Sequence, residues 1–134
     1  MNPPSKAVTL LSWLCQLAAA AILLQTLFFK FTGAEESRFI FTTLGVEPWG
    51  RIASGVVELV AAALLLYPRT AALGGALAMG VMAGAILAHL LFLGLEVQQD
   101  GGLLFVLALV VFLCGAVVAY LRRVELPLVG CKLA

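Results

Sequence analysis

The chain is expected to fold as an all-α integral membrane four-helix bundle. Of its 134 residues, 63% are hydrophobic and only 11% are charged, and the apolar residues gather into four long runs. Each run approaches the ~20 residues that a helix rising ~1.5 Å per residue needs to cross a hydrocarbon core of about 30 Å. A mean hydropathy of +1.14 fits the lipid bilayer as solvent, and the short breaks leave room for a single membrane domain over residues 1–134.

The first span is expected at residues 7–29. Lys6 and the small residues Ala18, Ala19 and Ala20 imitate a signal peptide, but the apolar run continues to Phe29, as in a retained anchor. In the loop that follows, Thr32-Gly33-Ala34-Glu35 has capping-box spacing, and Phe39, Ile40, Phe41 and Leu44 then appear among polar residues. This pattern leaves two expectations open, a short interfacial helix lying over the bundle or a plain loop. The second span, 49–67, opens after Pro48 and closes at Tyr67-Pro68-Arg69. The third, 71–94, carries Gly80 and Gly84 in Gly-x-x-x-Gly spacing, which suits either close packing inside the bundle or a homodimer contact. Asp100-Gly101-Gly102 introduces the fourth span, 102–120. Trp13 and Trp49 fall near opposite membrane boundaries, where amphipathic rings are favoured.

Charge sets the expected orientation and excludes one class of partner. Lys6, Arg69, Arg122, Arg123 and Lys132 lie on the side of the termini, against Lys30, Arg38 and Arg51 on the other, so both termini are expected in the cytoplasm of a cell-membrane protein. A net charge of +1, with no basic run longer than Arg122-Arg123, argues against nucleic acid. Cys15, Cys114 and Cys131 are an odd set without Cys-x-x-Cys, which gives neither a disulfide framework nor a dithiol redox centre, and Cys15 and Cys114 are read as packing residues. The single histidine, His89, excludes bis-His haem ligation, and scattered acids without paired-ligand spacing give no reason to assign a metal.

Glu58 carries the most information. It sits alone in the apolar run 52–67, and a carboxylate facing lipid there costs roughly 3 kcal/mol or more, so it must turn inward toward partners. At ~1.5 Å per residue, Glu58 lies about 10 Å below Arg51 and His89 lies at a similar depth before Glu96, while Gln25 and Thr26 fall just below Lys30. Helical spacing puts Thr26 with Lys30, Arg51 with Glu58, and His89 with Glu96 on common faces. These six residues, Thr26, Lys30, Arg51, Glu58, His89 and Glu96, form the candidate ligand-binding set in the outer half of the bundle. Glu58 is its deepest acid, and Lys30 and Arg51 are the cations at its mouth, expected to steer in a small polar head such as a quinone or an oxidised sulfur anion. No residue is assigned as catalytic.

The chain resembles the DoxX family of small four-span membrane proteins from about Ser12 to Arg123. The resemblance rests on Phe28-Phe29-Lys30-Phe31, Leu44-Gly45-Val46-Glu47-Pro48, the segment from Ile52 to Leu59 that contains Gly55 and Glu58, and Leu64 through Tyr67-Pro68-Arg69-Thr70. It implies a four-helix bundle and an association with redox chemistry, since one branch supplies the membrane subunit of a thiosulfate:quinone oxidoreductase. Other members act in protein maturation, so family alone does not fix function. Three functions compete on these grounds. The first is an accessory membrane subunit of a redox system that binds a quinone or docks an oxidoreductase partner. The second is a structural or chaperone-like interaction protein, and the third a small dimeric transporter.

Overall fold

Ser5 caps α1 (Lys6–Thr32), its hydroxyl accepting the Val8 amide at 3.2 Å. The computed structural model describes residues 5–47, 49–94 and 102–123, apart from the Glu36 side chain. At 27 residues, α1 outlasts the apolar run by three residues and stops where Gly33 adopts φ 70°. The amides of Gly33 and Ala34 then turn back to the carbonyls of Lys30 and Phe29 at 3.4 and 3.0 Å, a Schellman ending that a residue with a Cβ resists.

The capping box expected at Thr32 does not form. Thr32 is still inside α1, and its hydroxyl donates to the Phe28 carbonyl at 2.8 Å. The next helix, α2 (Glu35–Thr43), starts from Ala34 without a side-chain cap. Of the two expectations for this segment, a short helix is the one observed.

α3 (Trp49–Leu66) follows, then a tight 3-10 turn over Pro68–Thr70, α4 (Ala71–Ala88), a π-helical turn over His89–Leu93, and α5 (Leu103–Leu121). The Thr70 hydroxyl donates to the Leu64 carbonyl at 2.9 Å and so fixes the turn onto the end of α3. α1, α3, the stretch Pro68–Leu93 and α5 are each long and apolar enough to cross a membrane. α1 packs against α3 and α5, and α4 packs against the same two helices, which closes a four-membered ring with α2 lying across one end.

The core of this ring is built largely from small residues, among them Ala19, Ala20, Ala61, Ala62, Ala71 and Ala78. Lipid tails are as apolar as leucine, so helices gain by close contact rather than by escaping solvent, and small side chains permit that contact. Larger residues such as Leu10, Leu14 and Leu113 point outward. The Gly80 and Gly84 pair is not the intrachain packing device, since a Cβ at either would meet nothing within 4 Å. Gly74, Gly75 and Gly115 do that work instead. A Cβ on Gly75 would stand 2.6 Å from the Gly115 carbonyl oxygen, and one on Gly74 would stand 2.7 Å from the Leu65 nitrogen. Cys15 and Cys114 pack against the core as neighbours, in line with their reading as packing residues, and Cys131 lies outside the described residues.

A second polar cluster, not anticipated from the sequence, ties the ring together at the end remote from α2. Ser12 and Gln16 lie one turn apart on α1 and are both fully buried. The Gln16 amide donates to the Leu65 carbonyl at 2.7 Å, and the Ser12 hydroxyl donates to Gln16 Oε1 at 2.6 Å. Arg122, just past α5, donates to Ser12 Oγ at 2.7 Å and to Gln16 Oε1 at 2.9 Å, with its guanidinium 5.8 Å from the centre of the Trp13 ring. Three helix ends are thereby joined through groups whose hydrogen bonds water cannot replace at that depth.

Candidate functional site

On α3 the buried positions Arg51, Gly55, Glu58, Ala62 and Leu65 are spaced four, three, four and three residues apart, a single inward face. Glu58 therefore points into the ring and is 1% exposed. Gly55, one turn above it, leaves room for Phe31, whose ring would be 2.6 Å from a Cβ there. That contact brings the last turn of α1 onto α3 and sets Lys30 within reach of Glu58.

Lys30 Nζ donates to Glu58 Oε1 at 2.5 Å, an ion pair whose acid end is almost fully enclosed. The Thr26 hydroxyl lies 3.1 Å from Glu58 Oε2 and 2.9 Å from the Leu23 carbonyl, so its one proton serves either acceptor in turn. On the other side of the ammonium stands the Phe41 ring of α2, 5.5 Å from Nζ to its centre. Thr26, Lys30 and Glu58 thus form one bonded unit between α1 and α3, roofed by α2. Gln25, adjacent to Thr26 in sequence, is exposed and takes no part.

Arg51 shares the inward face of α3 but is not a mouth cation. Its Nε donates to both carboxylate oxygens of Glu47, at 2.9 and 3.1 Å, and its Nη1 donates to the Lys30 carbonyl. A cation at the carbonyl end of α1 is favoured by the helix dipole, so Arg51 anchors the backbone that carries Lys30. It lies outside the cavity described next.

A cavity of about 410 Å³ opens beside the pair, inside the end of the ring that α2 covers. That volume falls in the range of small-molecule sites, roughly 300–1,000 Å³. Its walls are mostly apolar, with Ile22, Leu23 and Phe29 from α1, Ile40 and Phe41 from α2, Val81, Met82 and Ala85 from α4, and Leu104, Leu107 and Ala108 from α5. Polar groups reach it at Thr26, Lys30, Ser37, Ser54, Glu58 and His89. Gly84 also lines it, which gives one of the two unpacked glycines a place in the wall.

His89 begins the π-helical turn, whose signature bond runs from the Gly94 amide to the His89 carbonyl at 2.7 Å. Such turns recur at functional sites because they re-aim side chains that a regular helix would place elsewhere. The ring is 5% exposed, rests 5.7 Å from the Phe105 ring, and holds Nδ1 2.9 Å from the Ala85 carbonyl. Its Nε2 is buried without any hydrogen-bond partner among the described residues. His89 therefore reaches the cavity wall as expected but is not bonded to Glu58.

Glu96, the remaining member of the expected set, lies outside the described residues. Among the described residues no three His, Cys, Asp or Glu side chains come together as a group able to hold a metal ion. Among the described residues the site thus offers a compensated ion pair, the hydroxyl residues Thr26, Ser37 and Ser54, and one imidazole nitrogen without a hydrogen-bond partner around an apolar space.

The model of the DoxX-like family matches residues 14–98, which take in α1 from Leu14 onward, α2, α3, α4 and the site residues from Thr26 to His89. No curated protein and no solved structure matches the chain. The match spans well over half of the sequence, and the chain belongs to the DoxX-like family.

Proposed function

We propose that this DoxX-like membrane protein holds the head of a neutral amphiphile, most directly a quinone, in the cavity beside Lys30, Glu58 and His89. In this role it serves as an accessory membrane component of a redox system, supplying the ligand to an oxidoreductase partner. The observation that carries the proposal is a largely apolar cavity of small-molecule size whose wall holds the Lys30–Glu58 ion pair and His89. Ionisable groups so deep in a span are costly, and interhelical hydrogen bonds are worth only ~1 kcal/mol each, so scaffolding alone accounts poorly for them.

Charge bookkeeping favours a neutral head over an oxidised sulfur anion. The Lys30 charge is met by Glu58 and the Arg51 charge by Glu47, so the described residues present no uncompensated cation to the cavity. Lys30 still has N–H donors beyond the one given to Glu58, which suits a carbonyl or hydroxyl oxygen.

Calorimetry in detergent with a short-tailed quinone analogue and with thiosulfate tests this directly. The analogue is expected to bind wild type and to lose about tenfold in affinity in Lys30→Met, the value of one hydrogen bond to a charged donor, with a smaller loss in Glu58→Gln. Thiosulfate is expected not to bind. If the analogue does not bind wild type, or binds both variants unchanged, the site is structural and the interaction-protein reading takes first place.

We further place both termini in the cytoplasm, from the excess of Lys and Arg on their side, which puts the cavity in the outer half of the membrane. In a Cys131→Ser background, Gln98→Cys should react with an impermeant thiol reagent in intact cells, and Ala134→Cys only after permeabilisation. The opposite labelling pattern would move the cavity to the cytoplasmic half.

A further inference from the structure

We infer that the cavity selects an amphiphile whose head carries a hydroxyl group, which donates its proton to His89 Nε2. The inference rests on the proposed amphiphile site and adds the chemical class of head that it prefers.

The tautomer of His89 carries it. Nδ1 lies 2.9 Å from the Ala85 carbonyl oxygen, and a carbonyl can only accept, so Nδ1 bears the proton. In the neutral ring Nε2 then has a lone pair and no hydrogen, and it accepts. Among the described residues no carboxylate is hydrogen-bonded to either ring nitrogen.

A buried acceptor without a donor is unfavourable by itself and becomes a source of selectivity when a ligand supplies the donor. Alcohols, phenols and hydroquinones supply it. Ethers and quinone carbonyls bring another acceptor and leave Nε2 unsatisfied, although a carbonyl is still served by the spare N–H groups of Lys30. The hydroxylated head thus binds more tightly than a head of the same shape without the proton.

The test compares a short-tailed hydroquinone with its dimethyl ether by calorimetry in detergent on wild type, His89→Phe and His89→Gln. Wild type should bind the hydroquinone about tenfold more tightly than the ether. His89→Phe should bring the two affinities together. His89→Gln, whose side-chain oxygen restores an acceptor, should recover part of the difference, and that recovery separates a lost hydrogen bond from a damaged fold. If wild type binds both compounds equally, the hydroxyl preference is wrong while the amphiphile site stands. A preference that survives in His89→Phe overturns the assignment to His89. If neither compound binds wild type, the site and the preference fall together.

Discussion

Lys30→Met is expected to lower the stability of the bundle by about 3 kcal/mol, more than any other single change at the site. The substitution strands the Glu58 carboxylate, whose side chain is 2% exposed and cannot turn away from the interior, with Thr26 as its remaining hydrogen-bond partner among the described residues. Glu58→Leu should cost less, about 1 kcal/mol, because the Lys30 ammonium sits on a long stem in the last turn of α1 and is already 16% exposed. Glu58→Gln should cost less again, since its amide keeps a hydrogen bond. The double variant Lys30→Met with Glu58→Leu removes both charges and should recover most of the loss of the first. Unfolding titrations in mixed micelles read all four. Equal losses in the single variants, or a double variant as unstable as Lys30→Met, would mean that the two residues do not depend on one another.

The second large effect is expected where α4 meets α5. Gly75→Ala and Gly115→Ala should each destabilise by about 2 kcal/mol, because the new methyl group would press against the carbonyl of the facing glycine, at 2.6 and 2.7 Å respectively. Backbone cannot move aside as a side-chain tip can. Gly80→Ala, with nothing within 4 Å, should leave stability unchanged or raise it slightly through helix propensity. Thermal melts in one detergent compare the three. Losses at Gly80 as large as at Gly75 would contradict the packing described.

The four spans were legible because run length alone reports a bilayer crossing, and the structure places them within a few residues of their expected bounds. Lys30, Thr26 and Glu58 were legible for a related reason. A charge inside an apolar run needs a partner, and depth with helical phase leaves few candidates. Arg51 misled because its phase matched that of Glu58, while Glu47, four residues earlier, offered a local partner that took the guanidinium first. The Thr32 cap misled because capping-box spacing does not say which helix owns the threonine, and Gly33 let α1 run on through it.

The Gly-x-x-x-Gly spacing likewise names a face without saying what lies opposite. Gly75 and Gly115 are 40 residues apart, and only the fold brings them together. Ser12, Gln16 and Arg122 escaped notice because uncharged polar residues barely interrupt an apolar run, and the cation that joins them arrives from the other end of the chain. A rule that treats a buried amide as seriously as a buried carboxylate would have flagged Gln16.

The cavity as the place where a neutral amphiphile rests is tested most directly by photolabelling. A quinone analogue carrying a diazirine on its ring is irradiated with the purified protein, and the modified peptides are identified by mass spectrometry. Modification should concentrate on α2 around Phe41 and on α4 and its π-helical turn from Val81 to His89, and excess unlabelled analogue should suppress it. Label spread over outward-facing residues such as Leu10, Leu14 and Leu113, undiminished by competitor, would contradict the account.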